Sequence, residues 1–349
     1  MKRNYKIILV VAVIALVVGG VYATSRYLLK SSQATPLTCS SGALPYTTSQ
    51  DQIGQQTMVQ RQVIQQPVQS PSSSTIQVVA GENFWGSLIS QLGGNRTSVL
   101  SIVSDPNADP HEYESNTQNA IAIANANLVI VNGAGYDNWA TNLIQANPSS
   151  GRTVLNVADL LGKVEGDNPH FWYSPSYVNT TVHQMYLDLV SIDPPGSSYY
   201  SNQYASLNSS LAEYNGRINE IAANFADVRV ASTESIFEYL AAAAHLNLIS
   251  PPAFMSAVAE GNDPSPGCIA LFQSQLLNPN SAGNATVLVY NAQTVTPLTE
   301  QIKAEAAQNK IPTVAVTETV QPSDVKFQVW MNAELITLQN ALNANAIGQ

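Results

Sequence analysis

Apolar residues along this chain recur in two rhythms, short unbroken runs and longer stripes stepping by three and four. The first ordered segment is TIQVVAGENFWGSLISQLGG. There a strand over Ile76–Val79 turns through Gly81 into a helix carrying Phe84, Leu88 and Leu92 on one face. Strand-like runs return at residues 98–103, 127–133 and 153–157, and NTQNAIAIANA (116–126) reads as a helix between them. A second series follows, VRVAST (228–233), TVLVYN (286–291) and TVAVTE (313–318), each leading toward a helix. Strands alternating with helices imply parallel βαβ layers, with ligand loops at the carboxyl ends of the strands.

Between the series, Tyr204, Leu207, Leu211, Tyr214, Ile218, Ile221 and Phe225 form one stripe at helical spacing. That pattern predicts a helix of about seven turns, in which Gly216 costs ~1 kcal/mol relative to Ala. The expected fold class is therefore α/β: two lobes with parallel sheets, residues 75–197 and 227–349, joined by one long rigid helix over 198–226. The site is expected in the cleft between the lobes.

The segments before residue 75 have a different character. MKRNYK precedes an apolar run, Ile7 to Ala23, long enough for a membrane anchor or a long signal-peptide core. The basic flank and the length of the run favour an uncleaved anchor over residues 1–23, although Val21-Tyr22-Ala23 would also serve as a cleavage site. Residues 24–74, rich in Ser, Gln, Thr and Pro, read as a flexible tether. Either way the bulk of the chain lies outside the membrane.

Composition narrows the function. The net charge is -10 and charged residues are 11% of the chain, with no Lys/Arg cluster, so no nucleic-acid partner is expected. Two cysteines, Cys39 and Cys268, either form a single bridge in an oxidising compartment or are unrelated thiols. Asn95, Asn179, Asn208 and Asn284 each begin an Asn-X-Ser/Thr sequon.

Among the four histidines, His183 and His245 lie in helical patterns and read as packed or surface residues. His111 in ADPHEYE and His170 in DNPHFWY instead follow proline on turn-like backbone, where an imidazole can be aimed and held. Glu234 directly follows the strand VRVAST, and Glu318 follows TVAV. Each could cap or precharge a helix N-terminus, or point into the cleft mouth. Together the four could make an N2O2 site for one divalent cation.

The ordered set ENFWGSLISQLGG, SDPNADPHEYE, ANLVIVNGAGYDNW, NPHFWYSP, STESIFEYL, EGNDPSP, VYNAQTVTPLTEQIKAEAAQNKIPTVAVTET and FQVWMNAELITLQNAL covers residues 75 to 345. It resembles the metal-binding solute-binding proteins of ABC importers for manganese, zinc or iron. The resemblance implies His111 and His170 as N-lobe ligands and Glu234 and Glu318 as C-lobe ligands. It also implies a monomeric, extracytoplasmic carrier that takes one divalent ion and docks on an ABC permease served by its ATPase. That family often has His at the third ligand and Asp at the fourth, so Glu at both is a departure.

Hard carboxylate oxygens suit Mn²⁺ and Fe²⁺, while Zn²⁺ accepts either donor type. Zinc importers often carry a His-rich loop after the first ligand, and residues 137–169 contain no histidine. The expected order is thus Mn²⁺, then Zn²⁺, then Fe²⁺. Asn132, Tyr136 and Asp137 are candidates for a supporting shell or else ordinary loop residues. Phe171 and Trp172 either seal the site or pack in the lobe core. A metal-dependent surface adhesin is the alternative, and a metallohydrolase a further one. The zinc-protease helix motif is absent, however, because Ser115 stands where a second histidine is needed after His111-Glu112.

Overall fold

The computed structural model describes Cys39, residues 75–106, Pro110 and residues 113–346, with side chains through residue 344. The first lobe runs β1 (Ile76–Glu82), α1 (Asn83–Gly93), β2 (Thr97–Val103), α2 (Thr117–Asn125), β3 (Leu128–Val131), α3 (Asn138–Ala146), β4 (Thr153–Asn156), the single turn α4 (Val157–Leu160) and α5 (Pro175–Ile192). The long helix α6 (Ser197–Phe225) follows. The second lobe runs β5 (Arg229–Ser232), α7 (Glu238–Ala243), β6 (Asn247–Leu248), α8 (Pro252–Ala259), α9 (Pro266–Gln275), β7 (Val287–Asn291), α10 (Pro297–Gln308), β8 (Thr313–Val316) and α11 (Phe327–Ala346).

Each lobe holds a four-stranded parallel sheet, and the two have the same order, β2-β1-β3-β4 and β6-β5-β7-β8. The inner strands β1, β3, β5 and β7 are buried on both faces, because helices cover both. In the first sheet Val78, Ala80, Leu128 and Ile130 face a central core, while Val79, Val129 and Val131 face a smaller cluster with Ile123 and Ala140. The second sheet repeats this division. Val230, Val287 and Val289 turn to the central core, and Ala231 and Leu288 turn to Phe254, Phe272 and Ile302.

That central core is continuous through both lobes. The α6 stripe supplies much of it, since Leu207, Leu211, Tyr214, Ile218, Ile221 and Phe225 are buried and Tyr204 is half-buried. Gly216 lies on the exposed face, where an added Cβ would meet nothing within 4 Å. Helix α11 returns across both lobes. Its Phe327 ring meets Tyr214 of α6 edge to face at 6.1 Å, Arg217 of α6 donates to Asn332 (2.6 Å), and Phe327 N–H donates to Ser87 of α1 (2.9 Å). Pulling the lobes apart would expose this shared core, so the fold permits rocking more readily than wide opening.

Local chemistry explains the element ends. Asn116 and Asn119 form a reciprocal capping box on α2, and Thr296 and Thr299 do the same on α10, with Pro297 just inside. His183 is exposed on α5, as its helical position suggested. His245 is exposed too but sits beyond the end of α7 at φ +54°, where Leu246 N–H closes the helix on the Ala241 carbonyl (2.9 Å). Helices α8 and α9 and the two-residue β6 were not legible in the apolar pattern.

Cys39 and Cys268 form a disulfide, with Cα atoms 5.6 Å apart. Cys39 thereby packs beside the α8–α9 cluster of the second lobe. The proposed anchor at residues 1–23 and most of the tether lie outside the described residues. Among the described residues no helix is long and apolar enough to cross a membrane.

Candidate metal site

Three of the four candidate ligands, His170, Glu234 and Glu318, are among the described residues, and all are 0% exposed. His111 lies outside the described residues, in the connection between β2 and α2. Glu234 stands two residues past the end of β5, and Glu318 two past the end of β8. Strand geometry thus sets their backbones, and neither carboxylate caps a helix. The turn that follows Glu234 receives no side-chain cap from it.

The two carboxylates are held by one short polar chain. Asn291, at the end of β7, donates through Nδ2 to Glu318 Oε1 (2.7 Å) and to Thr294 Oγ1 (3.0 Å). Thr294 in turn donates to Glu234 Oε2 (3.3 Å). Gln293 Oε1 accepts the backbone N–H groups of Glu318 (2.7 Å) and Thr319 (3.0 Å), which locks the turn carrying that glutamate. From the first lobe, the Tyr136 hydroxyl crosses to Glu318 Oε2 at 2.6 Å, and its ring stands edge-on to His170 with centroids 6.2 Å apart.

Among the described residues no three His, Cys, Asp or Glu side chains lie close enough together to hold one ion. Tyr136 and Asn291 already occupy both oxygens of Glu318. Each oxygen keeps a further lone pair, so these bonds orient the carboxylate without using up its capacity to accept.

His170 is positioned by the segment before it. Asn168 Oδ1 lies 2.7 Å from His170 Nδ1 and accepts its backbone N–H (3.1 Å), while Asn132 Nδ2 donates to the Pro169 carbonyl (2.9 Å). Phe171 and Trp172 are fully buried, and Trp172 stacks on Phe84 with centroids 3.9 Å apart. Both rings are thus lobe core, and Trp172 also stands edge-on to the imidazole with centroids 5.2 Å apart.

Tyr136 reaches the cleft because of the turn around it. Gly133, Ala134 and Gly135 all have positive φ, and a side chain at Gly133 would run into Asn156 and Ala158. Asp137 pins this turn by accepting from Asn132 N–H (2.6 Å) and Gly133 N–H (2.8 Å). Beside it lies Glu82, also buried. Burial and then the neighbouring Asp137 charge push the Glu82 carboxyl well above its usual range. Burial also raises Asp137, but its two N–H donors oppose the shift. The two N–H donors favour charge on Asp137, and the upward shift is the larger at Glu82.

A second buried polar node, not anticipated from the sequence, ties the lobes behind the site. Tyr173 has one hydroxyl proton for two acceptors, the Thr317 carbonyl (2.8 Å) and Glu334 Oε2 (2.8 Å). A neutral Glu334 supplies the missing proton. Burial pushes that carboxyl up to about 8, against the opposing bonds from Tyr173, Thr317 and Trp330. Glu334 was not recognisable in FQVWMNAELITLQNAL, where it reads as one polar position on a helix. Asn168, Asn291 and Thr294 were equally silent, though each flanks a residue or strand end that the sequence did mark.

The chain is 30% identical over 136 residues to the manganese-binding lipoprotein MntA of Halalkalibacterium halodurans, covering 38% of this chain and 44% of that protein. It is 23% identical over 154 residues to the iron-binding protein YfeA of Yersinia pestis, covering 41% and 49% respectively. The matches thus span about half the length of these curated relatives. In structure it resembles ZnuA (TM-score 0.61, 20% identity, 77% of this chain and 99% of that one). It also resembles FpvC from Pseudomonas aeruginosa in complex with Mn²⁺ (TM-score 0.63, 20% identity, 78% and 99%). At that identity the two structures speak for the fold alone. A family model described as zinc-uptake complex component A, periplasmic, matches residues 78–341.

Proposed function

The chain belongs to this zinc-uptake component A family, and from that premise we propose that it captures one divalent transition-metal ion outside the membrane and delivers it to an ABC permease. His111, His170, Glu234 and Glu318 are the proposed ligands. The observation that supports the reading is that His170, Glu234 and Glu318 are fully buried and joined by one chain of contacts across both lobes, with Tyr136 linking His170 to Glu318 and Asn291 and Thr294 linking Glu318 to Glu234. Groups so buried and so polar are costly unless paired or coordinated. In this reading the protein is a carrier rather than an enzyme, because four protein donors leave an ion little room for an activated water.

Two carboxylates would neutralise the ion and favour hard Mn²⁺ over Zn²⁺ and Fe²⁺ as the physiological cargo, although Zn²⁺ should bind tightly in vitro by the Irving–Williams order. A manganese-binding protein and an iron-binding protein among the relatives support a transition-metal cargo. The disulfide supports an oxidising, extracytoplasmic location. It also engages the sulfur of Cys39, so membrane attachment in this proposal runs through residues 7–23, with the protein acting as a monomer.

Titration of metal-stripped protein with Mn²⁺, Zn²⁺ and Fe²⁺ in competition, followed by metal analysis, tests the reading. One ion per chain, lost in His170→Ala, is the expected result. No stoichiometric ion, or full retention in that variant, would overturn it.

A further inference from the structure

We propose that Asn168 is a positioning residue that holds the His170 imidazole in its Nδ1–H form and ties it to the C-lobe turn following Glu234. The inference rests on the metal-site reading and adds to it the residue through which ligands from two lobes are oriented together.

The hydrogen bonds of Asn168 leave little freedom. Its Nδ2 lies 2.7 Å from the Ser235 carbonyl and 2.9 Å from Glu238 Oε2. A carbonyl oxygen can only accept, so the atom facing Ser235 must be the amide NH₂. The other terminal atom, facing the imidazole at 2.7 Å, is therefore the oxygen. An oxygen there requires the proton on Nδ1, which makes Nε2 the nitrogen whose lone pair can serve a metal. The orientation follows from donor–acceptor chemistry and not from an arbitrary choice of amide flip.

The same residue binds both lobes. Its own carbonyl accepts from the Tyr239 hydroxyl (2.8 Å), so three of its bonds reach residues 235–239, the turn and first helical residues after Glu234. From the N-lobe side, Asn132 grips the adjoining Pro169 carbonyl. Moving the C-lobe turn away would strain the bonds that hold Oδ1 against the imidazole. Lobe movement and loss of His170 orientation then become one event, which gives a release step a mechanical origin without any change in the ligands themselves.

The test uses the full chain, with Zn²⁺ as the titrating metal and ¹⁵N spectra of the imidazole nitrogens in the metal-free protein. The His170 signals are assigned by their disappearance in His170→Ala. Wild-type protein should show the Nδ1–H form. Asn168→Ala should mix the two tautomers and weaken Zn²⁺ binding by about 10–100-fold. Asn168→Asp keeps an acceptor against Nδ1–H but places an oxygen against the Ser235 carbonyl. It should restore the tautomer while recovering only part of the affinity. Tyr239→Phe, which leaves Oδ1 in place, should keep the tautomer and reduce affinity by a few-fold. An Nε2–H form in wild-type protein would overturn the proposal whether or not any variant folds. So would Asn168→Ala with an unchanged tautomer, or with affinity within twofold of wild type, provided His170→Ala abolishes binding. If His170→Ala binds Zn²⁺ normally, the metal-site reading itself has failed, which is a separate and distinguishable result.

Discussion

The two lobes share one sheet topology yet spend their polar residues differently. In the first lobe, the acid ending the first strand, Glu82, is buried against Asp137 within a structural turn, with its carboxyl pushed well up by burial. The residue ending its last strand, Asn156, caps the short α4 by accepting from Asp159 N–H. In the second lobe the corresponding strand ends lead to Glu234 and Glu318, which face the cleft. Of the proposed ligands, His170 sits on an irregular segment held by Asn132 and Asn168, whereas Glu234 and Glu318 take their position from strands β5 and β8. Identical topology fixes where a site can be, and the side chains at the strand ends decide which lobe supplies which donor.

Deleting donors from each side is the strongest way to break this contrast. His170→Ala and Glu318→Ala should each weaken metal binding at least about 100-fold, measured by competition titration, since an ion cannot keep a buried site with a donor missing. If only the C-lobe change matters, the N-lobe contribution has been misplaced. Wild-type affinity should also fall as pH drops below ~6.5, because the imidazoles must be deprotonated to bind.

The inter-lobe node gives the next largest effect. The Glu334 carboxyl is raised in the folded protein, so the stability it contributes is fully present below pH 4.5 and is lost as pH rises to about 8. Thermal or urea unfolding across that window should show stability decreasing with pH, by an amount on the order of a few kcal/mol. Glu334→Gln, which mimics the neutral acid, should flatten the slope. A slope unchanged by the substitution would remove Glu334 from the account.

Asp137→Asn sharpens the comparison inside the N-lobe. One amide oxygen cannot serve both N–H groups that the carboxylate oxygens now accept, so unfolding experiments should show a loss of about 1–3 kcal/mol. Gly216→Ala is the smallest test and the only stabilising one. The position is exposed in mid-helix with open space beside it, and the change should add about 0.5–1 kcal/mol without altering metal affinity. A loss of affinity there would show that the long helix does more than join the lobes.

Much of the fold was legible because it is local. The α6 stripe appears as a single helix ending at Phe225, and the runs at 76, 98, 128, 153, 229, 287 and 313 appear as strands. Glu234 and Glu318 were findable because a carboxylate just past a strand has a backbone-determined direction. Tyr136 was only half legible. GAGYD marks a turn, but nothing near it announces a hydroxyl 2.6 Å from a glutamate 182 residues away. The β6 strand, two residues long, carries no periodicity to detect.

The sequence by itself determined most of the elements, the two parallel layers and the residue types available to a cation, because each depends on spacing along one short stretch of backbone. Only the tertiary structure decided the partners. It chose the Cys39–Cys268 bridge, the burial of Glu82 against Asp137, the Asn291–Thr294 link between two glutamates and the Asn168 contacts with both lobes. Pairing of buried polar groups depends on distances through space and on the loss of water around them. Neither quantity is written in the periodicity of a chain.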